Sequence, residues 1–473
     1  MARAARTVGI SALVLLVAGG GYLTADAYDV VPGFLTVEPV PAPAAPFPTA
    51  PGATDQRSDA SVLAELDPAA PVPSATVLGQ RVQALTTDER LGPTVGVLVA
   101  DALTGEVLAQ NNPDQGRIPA STQKVVTAVA ALTDLGADTT FDTTVVQGGA
   151  ADQIVLVGGG DMMLAAGEGD PDAVNGRAGL ADLAAGTAEQ LRLAGVTEVT
   201  LRVDDTLFSG SAIAPGWDPA DVAAGYAAPV AALGVNIAKK SDEEYAPRYE
   251  DPAMHAAQVF AQRLADQGIT VRGAPARAGA NDTRGELLAT VSSAPVPEVT
   301  GYFLDHSDNT ITEVMARMVA VQRGFPASFE GATQAVLQSA RALGVDVTGA
   351  VLTDASGLAE GSSLSPTMLM SLLQLVVDPA HPELRSVATG MPIGGLTGTL
   401  SDRFTSGAGT GVVRAKTGSL KGVTSLAGLV VDADGRMLLY VVMADQTGEG
   451  GQWGPRTAID GFVGGLADCG CQG

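Results

Sequence analysis

The sequence predicts a mixed α/β protein of the α+β kind, an antiparallel five-stranded sheet flanked by helices and split by an inserted mixed domain. Three observations point there. Thr94 to Ala100 and Glu106 to Gln110 are β-rich runs separated by turn residues, so the folded part opens on a hairpin. Three hundred residues later, Val412 to Ala415, Ser425 to Asp432 and Met437 to Ala444 read as further antiparallel strands, with Asp434-Gly435 as a turn. The stretch between, from Asp142 to about Thr300, has its own strands and helix and is far too long for a loop.

The amino end comes before any of this. Arg3 and Arg6 precede an apolar run from Val8 to Leu23, and Ala25-Asp26-Ala27 follows with an Ala-x-Ala cleavage pattern. Residues 1–27 are therefore an export signal, either cleaved or kept as a membrane tether, since about 17 apolar residues is the lower limit for spanning. No cysteine lies beside the cleavage pattern, which excludes a lipoprotein. The protein is expected outside the cytoplasmic membrane. Residues 28–76 are rich in Pro and Ala, as in Val40-Pro41-Ala42-Pro43-Ala44-Ala45-Pro46, a composition that favours extended, solvated chain. This segment is a spacer or a processed tail.

The catalytic part is expected over 77–141 and 301–473, with 142–300 inserted. Pro119 precedes Ser121, and Lys124 to Leu132 is rich in Ala and Val without Gly or Pro, which places Ser121 in the first turn of a buried helix. Within the insert, Gln153 to Val157 and Glu198 to Val203 read as strands and Leu180 to Leu193 as a helix. Gly158-Gly159-Gly160 lacks the Gly-Lys-Ser/Thr ending of a phosphate loop and reads as a tight turn after a strand. The 473 residues are 46% hydrophobic and 17% charged, enough for two or three packed domains. A net charge of -25 argues against nucleic acid or an anionic lipid surface as partner. Cys469 and Cys471 are the only cysteines and read as part of a loose tail, with a small-loop disulfide as the alternative.

Five lysines occur in the chain, and two fall in patterns that carry chemistry: Ser121-Thr122-Gln123-Lys124 and Lys416-Thr417-Gly418. Ser307-Asp308-Asn309 lies between them. Ser-x-x-Lys, Ser-x-Asn and Lys-Thr-Gly each occur once, in the order used by penicillin-binding proteins and serine β-lactamases. A serine hydroxyl is a weak nucleophile until a base takes its proton. Lys124, one turn on from Ser121, is placed to do so when neutral, a form favoured by burial and by a second cation, Lys416. Ser307 is a candidate proton relay to the leaving amine, and Asn309 an orienter of Lys124 and substrate. Lys416, Thr417, Gly418 and Ser419 form a candidate substrate-binding strand, Thr417 offering its hydroxyl to a carboxylate. The Ser121 and Ser419 amides are candidate oxyanion donors. Neither a cofactor nor a metal is called for.

With these motifs the chain resembles the type-4, class C low-molecular-mass penicillin-binding proteins, D-Ala-D-Ala carboxypeptidases and endopeptidases of peptidoglycan. The likeness runs from about Val77 to Val463. It includes Leu156-Val157-Gly158-Gly159-Gly160-Asp161, Val203-Asp204-Asp205-Thr206-Leu207-Phe208, Pro215-Gly216-Trp217, Tyr226-Ala227-Ala228-Pro229-Val230, Asp354-Ala355-Ser356-Gly357-Leu358 and Gly398-Thr399-Leu400. The resemblance implies a penicillin-binding-protein/β-lactamase-like transpeptidase fold. It also implies an acyl-enzyme on Ser121 with Lys124 as base, peptidoglycan peptides as substrate and β-lactam antibiotics as covalent inhibitors. The family's insertion between the first two motifs matches the 186-position gap here. Many members nest a further domain after the stretch resembling Ala231 to Asn236. Here Tyr249-Glu250-Asp251-Pro252 and a helical pattern from Ala256 to Gln267 follow almost at once, so that domain is absent or reduced.

Rival chemistries fit less well. A β-lactamase shares the motifs but needs a water-activating group, and no Glu-x-x-x-Asn element stands at class A spacing. A Ser-His-Asp hydrolase has only His255, His306 and His381 to draw on and no Gly-x-Ser-x-Gly elbow. A zinc peptidase lacks His-Glu-x-x-His. A penicillin-sensing or wall-binding module without turnover is the non-enzymatic alternative.

Overall fold

The computed structural model describes residues 19–26, 31, 67–279, 285–448 and 450–470. Most of the expected export signal, nearly all of the proline-rich segment and Cys471 lie outside the described residues. Among the described residues no helix is long and apolar enough to cross a membrane. The strands, numbered along the chain, are β1 (Val95–Asp101), β2 (Val107–Asn111), β3 (Asp142–Gln147), β4 (Gln153–Val157), β5 (Asp161–Leu164), β6 (Glu198–Asp204), β7 (Leu233–Val235), β8 (Thr270–Val271), β9 (Ala276–Arg277), β10 (Leu287–Ser292), β11 (Val413–Leu420), β12 (Val423–Val431) and β13 (Met437–Ala444).

The first sheet has the order β11-β12-β13-β1-β2 and is antiparallel throughout. The early hairpin and the late meander join through β1 and β13, in register from Val95 opposite Ala444 to Asp101 opposite Leu438. Apolar residues run continuously along β1 and β13 because both faces of the sheet are covered. Side chains alternate across a strand. Val95, Val97 and Val99 of β1, with Leu438, Tyr440 and Val442 of β13, pack against Leu78 and Val82 of the Ala75–Thr86 helix and Ile459 and Val463 of the Trp453–Ala467 helix. Leu98 and Ala100, with Leu439, Val441 and Met443, face the Lys124–Leu135 and Pro366–Val377 helices. One edge of the β1–β13 pair is tied by a buried Arg436–Asp101 ion pair, whose arginine also donates to the Pro68 and Ala70 carbonyls.

A second sheet takes all its strands from residues 142–292, in the order β10-β3-β4-β6-β8 with β9 also on β6. Its core lies against the Leu180–Leu193 and Pro252–Asp266 helices. Both strand expectations and the first of these helices match the sequence reading. The second helix begins at Pro252 rather than Ala256, because Asp251 caps it by accepting from the Met254 amide and Pro252 sits where a missing N–H costs nothing. Between Ala238 and this helix the chain makes only a short loop, pinned by a bridge between Lys239 and Arg248. Gly158–Gly160 follows β4 as a turn; a side chain on Gly159 would collide with the Asp142 backbone, so the reason for glycine is close approach.

Two further expectations are corrected. Ser121 lies in a 3-10 segment, Ala120–Gln123, and the α-helix starts at Lys124. Ala120 has a φ of 48°, and the Thr122 hydroxyl and amide both turn back to the Pro119 carbonyl, which tightens this turn ahead of the helix. Cys469, read as part of a loose tail, is buried at the end of the last helix and disulfide-bonded.

Candidate active site

The first motif is a close hydrogen-bonded group. Lys124 Nζ, fully buried, lies 2.9 Å from Ser121 Oγ, 2.6 Å from Asn309 Oδ1 and 2.8 Å from the Ser356 carbonyl oxygen. Burial lowers the Lys124 pKa to about 8, against the pull of Asp354, Glu313 and Asp308 in the other direction. A displacement of that size is about 3 kcal/mol in favour of the neutral amine, so desolvation wins over the carboxylates.

Asn309 reaches the lysine because the chain reverses sharply before it. Only three residues separate the end of the Val296–Asp305 helix from the start of the Asn309–Arg323 helix, with Ser307 among them at a φ of 55°. A non-glycine residue there costs about 1–3 kcal/mol and is held by its surroundings. Asp308 caps the second helix by accepting from the Ile311 amide at 2.8 Å, a contribution of about 1 kcal/mol. Asn309 Nδ2 donates to the Tyr226 carbonyl at 2.9 Å, which fixes the amide so that Oδ1 faces Lys124. Ser307 Oγ is half-buried and has no hydrogen-bond partner among the described residues.

The third oxygen on Lys124 is supplied by the segment Asp354–Leu358, held by two buried carboxylates. Asp354 accepts from Trp217 Nε1 at 2.8 Å, from the amides of Gly357, Leu358 and Ala359, and from Ser356 Oγ. Glu313, on the Asn309–Arg323 helix, accepts from the amides of Ala355 and Ser356. Burial, reinforced by Asp354, pushes the Glu313 pKa up to about 8, while the Ala355 and Ser356 donors pull it back. The sequence alone points to a role for neither residue. The signal for Glu313 is a lone carboxylate within the apolar run Ile311-Thr312-Glu313-Val314-Met315-Ala316. Asp354 stands in the Asp354-Ala355-Ser356-Gly357-Leu358 stretch that the family resemblance includes.

The Lys-Thr-Gly motif lies on β11, the edge strand of the first sheet. Main-chain groups of alternate residues point to opposite sides of an antiparallel strand. The Val413 carbonyl and the Ala415 amide face outward and bond to Gly394 and Pro392. By the same alternation Thr417 and Ser419 turn their amides and carbonyls to the outer edge, beyond the reach of that segment. Gly418 permits β11 to lie against the turn carrying Ser121: a Cβ there would collide with Ser425 Oγ and come within 2.7 Å of the Pro119 carbonyl. Ser425 Oγ itself donates to that carbonyl at 2.7 Å. Lys416 is fully buried, its Nζ donating to the Thr417 carbonyl at 3.1 Å, and burial followed by repulsion from Lys124 holds its pKa well below the usual lysine value. Thr417 Oγ1 donates to Thr399 Oγ1 at 2.9 Å, which gives the Gly398-Thr399-Leu400 stretch a place beside the strand.

The sequence profile of the D-Ala-D-Ala carboxypeptidase 3 (S13) family matches residues 78–245 and 234–465. The chain belongs to this family. It is 37% identical over 420 residues to a carboxypeptidase of Mycobacterium tuberculosis, covering 87% of this chain and 88% of that one. It is 35% identical over 479 residues to carboxypeptidase DacB of Mycolicibacterium smegmatis, covering 98% and 97%. Among solved structures, penicillin binding protein 4 from Haemophilus influenzae superposes with a TM-score of 0.67 at 24% identity, over 81% of this chain and 98% of that one, a likeness of fold. The five-stranded antiparallel sheet of this S13 peptidase is therefore the sheet of the penicillin-binding-protein fold.

The histidines of this S13 peptidase are engaged locally. His306 stacks on Tyr302 and contacts its carbonyl, His255 stacks on Tyr249, and His381 meets Glu383. Among the described residues no group of three or more His, Cys, Asp or Glu is disposed to hold a metal ion.

Proposed function

We propose that this S13 peptidase is an exported serine D-Ala-D-Ala carboxypeptidase of the cell envelope, cutting peptidoglycan stem peptides through an acyl-enzyme on Ser121. One observation carries the reading. Of the three oxygens around Lys124 Nζ, Asn309 Oδ1 and Ser356 O can only accept, while Ser121 Oγ carries a proton of its own. A neutral amine gives its two N–H bonds to the two acceptors and is left with its lone pair toward Ser121. This is the arrangement a general base needs.

Ser121 Oγ then attacks the carbonyl of the penultimate D-alanine as Lys124 takes its proton. The Ser121 and Ser419 amides receive the oxyanion; the first lies in a helical first turn, where N–H groups lack an intrahelical partner, and the second on the open edge of β11. The tetrahedral intermediate collapses with cleavage of the C–N bond, and the leaving D-alanine amine gains a proton through Ser307. Water hydrolyses the ester and returns Ser121. Burial keeps Lys124 available in its neutral form, and Thr417 offers its hydroxyl to the substrate's carboxylate. A β-lactam follows the same first step. Glu313 and Asp354, the buried carboxylates acting on Lys124, are committed to backbone amides, which supports slow hydrolysis of the penicilloyl ester over β-lactamase turnover.

Incubation with benzylpenicillin, intact mass and peptide mapping test this. The expected result is one stable adduct on the Ser121 peptide, absent from Ser121→Ala, together with D-alanine release from a diacyl-Lys-D-Ala-D-Ala peptide. Folded protein that gains no mass and releases no D-alanine would refute it; rapid penicillin turnover would point to a β-lactamase, and an adduct without D-alanine release to a sensor.

A further inference from the structure

The Trp453–Ala467 helix brings an arginine to the far end of β11. Gln452, just before this helix, donates to the Leu420 and Val423 carbonyls and pairs with Thr424 Oγ1, so the helix start is clamped on the β11–β12 turn. One turn on, Arg456 Nη2 donates to Ser419 Oγ at 3.1 Å. That is the only side-chain hydrogen bond Arg456 makes among the described residues. Its Nε is buried without a partner, and among the described residues no carboxylate lies within ion-pair distance of its guanidinium. The neighbouring Arg403 is different: it is paired with Asp460 through two nitrogens. An unpaired, half-buried guanidinium is unusual in a chain of net charge -25, where 52 acidic residues compete for 27 basic ones.

Its position gives the vacancy a use. Thr417 and Ser419 lie two apart on β11, so their side chains share one face. Thr399 Oγ1 meets the first hydroxyl and Arg456 meets the second. Tyr245, exposed and edge-stacked on Tyr226, is close enough to Arg456 to interact electrostatically, and the Tyr226 carbonyl in turn holds Asn309. Arg456 is thus tied to the substrate strand through Ser419 and, by way of Tyr245 and Tyr226, lies toward the segment that holds Asn309. Burial, and next the charge of Arg403, disfavour its cationic form against the more distant pull of Asp402 and Asp460, a net cost that a bound anion would relieve.

We infer that Arg456 is the cation that recognises the free terminal carboxylate of the peptide substrate, through its fork and together with the Thr417 and Ser419 hydroxyls. This rests on the peptidase reading above and adds to it a specificity-determining residue. A guanidinium matches a carboxylate in plane and spacing, whereas hydroxyls alone would accept an amide nearly as well. Arg456 therefore makes the enzyme a carboxypeptidase-type cutter of chain ends and of cross-links that retain a free carboxylate on the leaving residue.

The test compares a diacyl-Lys-D-Ala-D-Ala peptide with its carboxyl-terminal amide, in the wild type, Arg456→Gln and Arg456→Lys, with thermal unfolding as a control. Arg456→Gln is expected to lower kcat/KM on the free-acid peptide by about 10- to 100-fold, the scale of a charge-assisted hydrogen bond. The rate on the amide should fall far less than the rate on the free acid, so discrimination collapses. Arg456→Lys keeps the charge and loses the fork, and should lose only part of the rate on the free acid; it decides the matter should Arg456→Gln unfold. An active wild type whose variants lose both substrates equally, or neither, overturns the role of Arg456 alone. A wild type that releases no D-alanine and takes up no penicillin overturns the peptidase reading as well.

Discussion

Replacing Asn309 by aspartate tests whether neutral Lys124 is the base. Asn309 Oδ1 is 2.6 Å from Lys124 Nζ, so Asn309→Asp puts a carboxylate in direct contact with the amine while keeping size and shape. With the Lys124 pKa at about 8, roughly one molecule in ten carries the neutral amine at pH 7. A contacting opposite charge raises a lysine pKa by about 1–3 units. The neutral fraction at pH 7 then falls by a further factor of about 10 to 1,000, and acylation falls with it. The variant also loses the bond from Asn309 Nδ2 to the Tyr226 carbonyl, but that loss is the same at every pH. The assay is the second-order rate constant of acylation by benzylpenicillin between pH 6 and 11. In the wild type it should rise about tenfold per pH unit and level off near 8; in the variant the inflection should move up by about 1–3 units, so the deficit shrinks as pH rises. Profiles that are parallel, offset by a constant factor with the same inflection, would refute the assignment of Lys124 as base.

Gly418→Ala should leave the protein folded but lower penicillin acylation by at least about tenfold, because the new methyl pushes β11 off the Pro119–Ser121 turn; wild-type acylation would contradict the close-approach argument. Ser307→Ala should slow D-alanine release by about 100-fold through loss of proton transfer to the leaving amine, while keeping the helix reversal; an unchanged kcat would remove Ser307 from the chemistry. Asp161 is fully buried, and burial raises its pKa to about 7, above its unfolded value near 4. Its protonated form is the one the fold favours, so the stability it contributes is complete below about pH 4 and is lost as pH rises through about 7. Asp161→Asn should remove that slope, gaining on the order of 2–4 kcal/mol relative to wild type between pH 4 and 8 in denaturant unfolding; a difference that stays constant across this range would show that Asp161 does not titrate with folding.

Of the fold, the sequence by itself determined the elements whose signal is local. The hairpin at β1 and β2, the Leu180–Leu193 helix, and the meander with its Asp434-Gly435 turn follow from periodicity and turn chemistry, which are properties of neighbouring residues. Ser121 and Lys124 were legible as a pair for the same reason, since three residues of helical chain set their distance. A single five-stranded sheet follows from the early and late strands together, but not the pairing of β1 with β13, because nothing in either strand encodes a partner more than 300 residues away; two apolar faces covered by helices on both sides decide it.

Tertiary structure alone decided the environment of Lys124. Ser356 supplies a carbonyl from 232 positions away, Glu313 and Asp354 hold that carbonyl in place, and Ser307 bends the chain through a left-handed residue that no glycine announces. It also decided which edge groups of β11 remain open and placed the Arg456 guanidinium on Ser419 rather than, among the described residues, on a carboxylate. The physical reason is that burial and charge pairing are sums over everything packed around a group. A sequence states which groups are present, whereas the pKa of a lysine or the vacancy beside an arginine depends on which of them the fold brings within a few ångströms.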